Sequence, residues 1–191
     1  MSQPHAVPVT APDLIDPVVG FRQWRLADEH LESLYTHVCW EGPELRASCG
    51  SGGHDSSDSP APSCSCGIYA YYDPCPRTAS AGTRDFVAGA VVLWGHIEVH
   101  AVGMRAQCAR VVALELPVSR GRKRLEVRRL AERLGVVAVP HRALAATAYQ
   151  QGLRLDRSMR PRRQFERGGS ARPWRLPRMT APFVGAGARR G

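Results

Sequence analysis

The chain has 191 residues, 43% of them hydrophobic and 23% charged, with a formal net charge of +9. This is a globular composition with room for one core, and it excludes a fibrous or wholly disordered protein. No apolar run approaches the roughly 18 residues that a bilayer span needs. The opening MSQPHAVPVTAPDLIDP has neither a basic n-region nor an apolar h-region, so the expectation is a cytoplasmic protein without a membrane partner. In that compartment the six cysteines are expected to be metal-bound, free or redox-active rather than structural disulfides. The charge is segregated. Residues 157–191 hold ten Arg and one acid, Glu166, which accounts for the whole +9, and residues 1–156 are balanced. Lys123 is the only lysine among 26 basic residues, a skew that a GC-rich genome produces as readily as selection for binding.

In chain order, residues 1–19 hold four prolines and little apolar periodicity, and read as an irregular lead-in. GFRQWRL (20–26) and LESLYTHVCW (31–40) flank the polar ADEH, which suits a hairpin turn. GSGGHDSSDSPAPS (50–63) is a low-complexity loop, too rich in Gly, Ser, Asp and Pro to bury itself.

Residues 64–117 form the β-rich centre. In FVAGAVVLWGHIEVH (86–100), Val87, Val91, Leu93, Ile97 and Val99 all occupy odd positions, the alternation of a strand with one buried face. The even face carries Trp94, His96, Glu98 and His100. MRAQCARVVALELP (104–117) is the next strand. A two-residue turn at Val102-Gly103 would set His100 against Arg105, Glu98 against Gln107 and Ile97 against Cys108. A three-residue loop would mix polar and apolar positions, so the two-residue turn is the expected register. Gly89 and Gly95 then mark bends or bulges, as in a sheet that curls toward a barrel.

The motifs CGIYAYYD (66–73), VAGAVVLWGHIEVH (87–100) and GMRAQCARVVAL (103–114), with GFRQWRL upstream, resemble a family of small uncharacterised proteins from high-GC Gram-positive bacteria. The likeness spans roughly residues 20–117. It implies a compact α+β or partly closed β domain and no particular activity. Where the family pattern continues Arg-Ala-Glu-Tyr-Ala, this chain has Arg-Ala-Gln-Cys-Ala at 105–109, so no role is carried over to positions 107 and 108.

Two constellations could carry chemistry. Zinc favours a tetrahedron of thiolate and imidazole, and Cys64 and Cys66, with Cys49 and His54 across the loop, supply a Cys3His set. The spacing C-x4-H-x9-C-x-C lacks paired C-x-x-C knuckles. Cys39 and Cys75 are substitutes if His54 is only loop, and unligated thiols or a redox pair are the competing accounts. A metal would explain why thiols flank a flexible loop, because a clip that closes it removes unfolded-state freedom. The second constellation is a polar pocket of Trp94, His96, Glu98, His100, Arg105 and Gln107, with Trp94 lining a groove; its bland counterpart is an exposed sheet face. No Gly-x-Ser-x-Gly, P-loop, His-Glu-x-x-His or dinucleotide fingerprint is present, so no catalytic residue is assigned.

SRGRKRLEVRRLAERLG (119–135) reads as a helix with Ser119 as cap, the apolar stripe Val127, Leu130, Ala131 and Leu134, and a stop at Gly135. LAERLGV resembles the start of a helix-turn-helix module, but Val137 and Pro140 fit it poorly. The simpler order is helix, short strand VVAV, and a helix begun at Pro140 and ended at Gly152. The tail from 157 on is too poor in apolar residues to fold alone and is expected to be disordered.

The predicted fold is therefore α+β: a compact, partly closed antiparallel β domain over 20–156, followed at its end by two helices and then a disordered basic tail. The expected function is a non-catalytic cytoplasmic domain, zinc-clipped, that acts through a protein partner. The alternative is a nucleic-acid-associated protein whose phosphate contacts are Arg122, Arg124, Arg128, Arg129, Arg133, Arg160, Arg162 and Arg163.

Overall fold

The computed structural model describes residues 9–10, 16–27, 29–50, 52–74, 86–118 and 120–161. Among the described residues nine strands form one sheet: β1 (Val9–Thr10), β2 (Val18–Ala27), β3 (His30–Ser33), β4 (Cys39–Trp40), β5 (Glu44–Arg46), β6 (Ile68–Tyr71), β7 (Phe86–Val99), β8 (Gly103–Leu116) and β9 (Val137–Pro140). The two helices are α1 (Arg122–Leu134) and α2 (His141–Ala148), so the architecture is mixed α+β, as the sequence predicts.

Closure comes from β7 pairing with both β2 and β8 while β6 bridges β8 to β2. The circuit β2–β7–β8–β6 is a small barrel. The hairpin expected around ADEH forms between β2 and β3, with Ala27 opposite His30 and Trp24 opposite Ser33.

The odd positions of β7 face the main core, where Val87, Val91, Leu93, Ile97 and Val99 join Trp24, Leu31, Trp40, Met104 and Leu114. Both glycines of β7 lie beside register shifts, between Ala90 and Val91 and between Trp94 and Ile97. Gly95 has φ +76, a backbone conformation that favours glycine, and it packs against the Gln107 side chain.

The expected β7–β8 register is displaced by two residues. Val99 lies opposite Met104, Glu98 opposite Arg105 and Ile97 opposite Ala106, and past the bulge the displacement becomes three, with Trp94 opposite Cys108. The turn residues are Ala101 and Val102, closed by His100 N–H donating to Gly103 O at 2.8 Å. Gly103 belongs to the strand because Tyr71 of β6 pairs with it, and the Ala70 carbonyl occupies the space a side chain would need. Between the turn and the bulge, a shift of two keeps each residue on its face, which is why the facial pattern there was right and the partners were wrong.

The even face of β7 is not an exposed sheet face. Ala90 and Val92 are buried with Val19, Phe21, Val112 and Ala113 beneath Leu144 and Ala148 of α2. Trp94 packs half-buried against this second cluster instead of lining a groove. Farther along, Glu98 is also buried.

The stripe Val127, Leu130, Ala131 and Leu134 of α1 is buried in the main core. The helix starts at Arg122 with Gly121 as its N-cap, later than the expected Ser119, and ends at Gly135 in the left-handed region. β9 follows and pairs in parallel with β8, Ala113 opposite Val137, before Pro140 caps α2. A sheet strand between the helices rules out the helix-turn-helix order.

The ordered fold continues past 156. Leu153 exchanges backbone hydrogen bonds with Val19 and Pro17 at 2.8 Å, Leu155 is buried in the main core, and Arg160 stacks over Tyr72 at 4.1 Å. Residues 162–191, with Arg162 and Arg163, lie outside the described residues. Among the described residues no helix is long and apolar enough to cross a membrane.

Candidate metal centre

The loop between β5 and β6 crosses the outer face of the barrel, on the side away from the main core. β5 pairs with Cys108–Arg110 of β8, and Ala47 N–H donates to Gln107 O at 2.7 Å, which delivers Cys49 to the site. A 3-10 turn at Ser56–Asp58 follows His54, and Gln107 Nε2 donates to Ser57 O at 2.7 Å. Gly67, at φ +115, then turns the chain into β6; a Cβ there would lie 3.1 Å from Pro60 Cβ and 3.3 Å from Arg105 Cβ.

These constraints bring Cys49, His54, Cys64 and Cys66 together. Cys49 Sγ lies 3.6 Å from Cys64 Sγ, and Cys66 Sγ lies 3.3 Å from His54 Nε2. The candidate ligand atoms of Cys49, His54 and Cys64 all lie within 4.8 Å of one another, and these three residues can hold a metal ion. Three of the four expected positions, Cys49, His54 and Cys64, therefore lie together, and Cys66 falls outside that mutual group although its Sγ touches His54. Cys39, the proposed substitute, is exposed in β4, and Cys75 lies outside the described residues.

The electrostatics of the cluster suit a cation. His54 Nδ1–H donates to Asp55 O at 2.9 Å, which fixes the tautomer and leaves the Nε2 lone pair facing the thiols. That backbone bond, opposed by desolvation and aided by Cys66 and Cys49, raises the His54 pKa. Burial pushes the Cys66 thiol up, but the hydrogen bonds around it, Ala61 N–H at 3.4 Å among them, pull it down by more. The backbone bond at Cys66 lowers the Cys64 thiol, yet burial and the neighbouring thiols Cys66 and Cys49 outweigh it and push it up. Three thiols this close cannot all ionise without a positive charge among them.

What holds the cluster in place was missed in the sequence. Arg105, 4% exposed, donates through Nε to Glu98 Oε2 at 2.7 Å, and its NH2 lies 2.6 Å from the same oxygen. Its NH1 donates to Cys66 O at 2.9 Å and to Cys64 O, and its NH2 donates to Ala61 O at 2.9 Å. One guanidinium thus joins a buried carboxylate of β7 to three carbonyls of the cysteine loop. The expected polar pocket is in this way filled by protein. Glu98, Arg105 and Gln107 serve the loop, His100 Nε2 lies 3.6 Å from Glu98 Oε2, His96 sits half-buried in the bulge, and Trp94 belongs with the α2 cluster. The pairing of Glu98 with Arg105 across the hairpin was the available signal, and the two-residue register error hid it.

The helix arginines are dispersed. Arg122 pairs with Glu126 at 2.7 Å, Arg133 pairs with Glu29 at 2.8 Å, and Arg124 donates to Pro117 O at 3.0 Å. Arg128 and Arg129 are exposed, and Arg160 donates to Leu155 O at 3.0 Å. No protein-family model, curated protein or solved structure matches the chain.

Proposed function

We propose that this is a non-catalytic domain with a structural zinc site, in which Cys49, His54, Cys64 and Cys66 clip the β5–β6 loop onto the barrel and present it to a protein partner. The observation that carries the reading is the edge length of the cluster. Zinc bound tetrahedrally at about 2.3 Å to sulfur and about 2.0 Å to nitrogen separates its ligands by about 3.8 Å (S to S) and about 3.5 Å (S to N). The Cys49–Cys64 and Cys66–His54 separations of 3.6 and 3.3 Å are close to those edges. Cys49, His54 and Cys64 lie within 4.8 Å of one another, and Cys66, which touches His54, would close the set as the fourth ligand, the coordination of a structural site rather than a catalytic one.

The test is metal content and chelator sensitivity. Protein purified without added metal should carry about one zinc per chain, and a chelator should lower its melting temperature, because binding energy gained only on folding stabilises the fold. Metal-free protein with an unchanged melting curve would overturn the proposal.

A second reading, nucleic-acid association, is favoured by the ten arginines and single acid of 157–191 and by the exposed Arg128 and Arg129. It calls for retention on DNA or RNA that weakens steeply with salt.

A further inference from the structure

Arg22 poses a problem of charge compensation on the opposite side of the barrel wall. It lies on the same face of β2 as Val18 and Trp24, which belong to the main core, and the residue is only partly buried. Its Cζ sits 5.3 Å from the Trp24 ring centroid and 5.2 Å from that of Trp40. The two indoles meet edge to face, 5.7 Å apart and at 87°, so the guanidinium occupies the corner between two π-faces. Cation–π contact with tryptophan offsets part of the cost of desolvating the charge.

The donors are poorly matched. A guanidinium has five N–H groups, and the hydrogen bond it makes here runs from NH2 to Ser33 Oγ at 3.3 Å. That same hydroxyl accepts Trp40 Nε1–H at 3.2 Å, which uses both of its lone pairs. Arg22 Nε and Trp24 Nε1 are buried and have no hydrogen-bond partner among the described residues. Among the described residues Arg22 forms no ion pair, in contrast to Arg105, whose buried charge is fully met by Glu98 and three carbonyls. Burial pulls the Arg22 guanidinium down to about 10. Buried charges in folded proteins are ordinarily paired, because an uncompensated one is costly.

We propose that Arg22, with Trp24, Trp40 and Ser33, forms a binding site for a small oxyanion, the carboxylate or phosphoryl group of a ligand that enters beside the β2–β3 hairpin. Such a group supplies what the site lacks: a negative charge and acceptor lone pairs for the unmatched N–H groups of a guanidinium whose fork geometry suits two-oxygen anions. The indoles form walls that exclude water and hold the guanidinium plane. The site is independent of the cysteine cluster.

The test uses the full chain and two probes, inorganic phosphate and acetate, each titrated against chloride at matched ionic strength. Tryptophan fluorescence and melting temperature are the readouts. The expected result is a saturable fluorescence change and a rise in melting temperature with at least one probe, weakened tenfold or more in Arg22→Met and less in Arg22→Lys. A response to phosphate alone assigns a phosphoryl group, and a response to acetate alone assigns a carboxylate. If Arg22→Met does not fold, the wild-type response and its weakening in Arg22→Lys decide the matter. No saturable response to either probe, or an equal response in the Arg22 variants, would overturn the proposal.

Discussion

Replacing Arg105 by Met keeps the length of the side chain and removes its charge and all its donors. Two effects follow. Glu98, 1% exposed, loses both Arg105 contacts to its Oε2 and keeps only His100 Nε2 at 3.6 Å, while its Oε1 has no hydrogen-bond partner among the described residues. Removing one partner of a buried ion pair costs about 3–5 kcal/mol. The carbonyls of Ala61, Cys64 and Cys66 lose their donor too, and each one left buried without a partner adds about 1–3 kcal/mol. The terms do not add, but even the lower figure is a large share of the roughly 5–15 kcal/mol that stabilises an ordinary domain. Urea denaturation of metal-loaded Arg105→Met should therefore show a loss of at least about 3 kcal/mol. The double variant Glu98→Leu/Arg105→Met should recover part of it, because both charges are then gone. Metal affinity, measured by chelator competition, should fall by about 10–100-fold in both variants, since the carbonyls that orient Cys64 and Cys66 lose their anchor in each. A single variant within 1 kcal/mol of wild type, or a double variant equal to the sum of its singles, would refute the reasoning.

Other outcomes follow from the same geometry. Burial first, and then Arg105, lowers the His100 pKa despite Glu98, so the unfolded chain binds the extra proton below its ordinary value near 6.5. Stability should fall as pH drops through and below that value, and His100→Asn should flatten that part of a pH-dependent melting curve. Gly67→Ala should cost about 1–3 kcal/mol in urea denaturation, because it adds a Cβ at positive φ against Pro60 and Arg105. Trp94→Ala should lose about 2–3 kcal/mol, less than the 3–5 of a fully buried aromatic, through weakened packing under α2. Truncation after residue 161 removes most of the positive charge and should flatten the salt dependence of any nucleic-acid retention, measured by binding at increasing salt.

Periodicity carried much of the fold. The odd positions of β7 and the stripe Val127, Leu130, Ala131 and Leu134 each mark a buried face that local spacing alone can show. The approach of Cys49, His54 and Cys64 to one another was legible because they flank a short loop of Gly, Ser, Asp and Pro that can fold back on itself. Partners across the sheet were harder. The turn centre at Ala101-Val102 depends on Tyr71 packing beside Gly103, a contact made by a distant strand. The even face of β7 looked polar because Trp94, His96, Glu98 and His100 follow one another there, yet α2 and the cysteine loop cover much of it. Burial of a polar residue is a property of what folds over it, and local sequence does not record that. Arg22 is one example: alternation puts it on the Trp24 face and Arg25, 3.9 Å from Glu32, on the other, but does not show that Trp40 of β4 packs against it.

Cobalt substitution tests the metal centre most directly. One equivalent of Co(II) added to metal-free protein should give the intense visible bands of four-coordinate, thiolate-ligated cobalt and saturate at one per chain. The bands should weaken and shift in Cys49→Ser, Cys64→Ser and Cys66→Ser, change coordination in His54→Ala, and stay unaltered in Cys39→Ser. Bands that survive all four ligand substitutions, or no thiolate bands at any ratio, would contradict the assignment of Cys49, His54, Cys64 and Cys66 as a metal site.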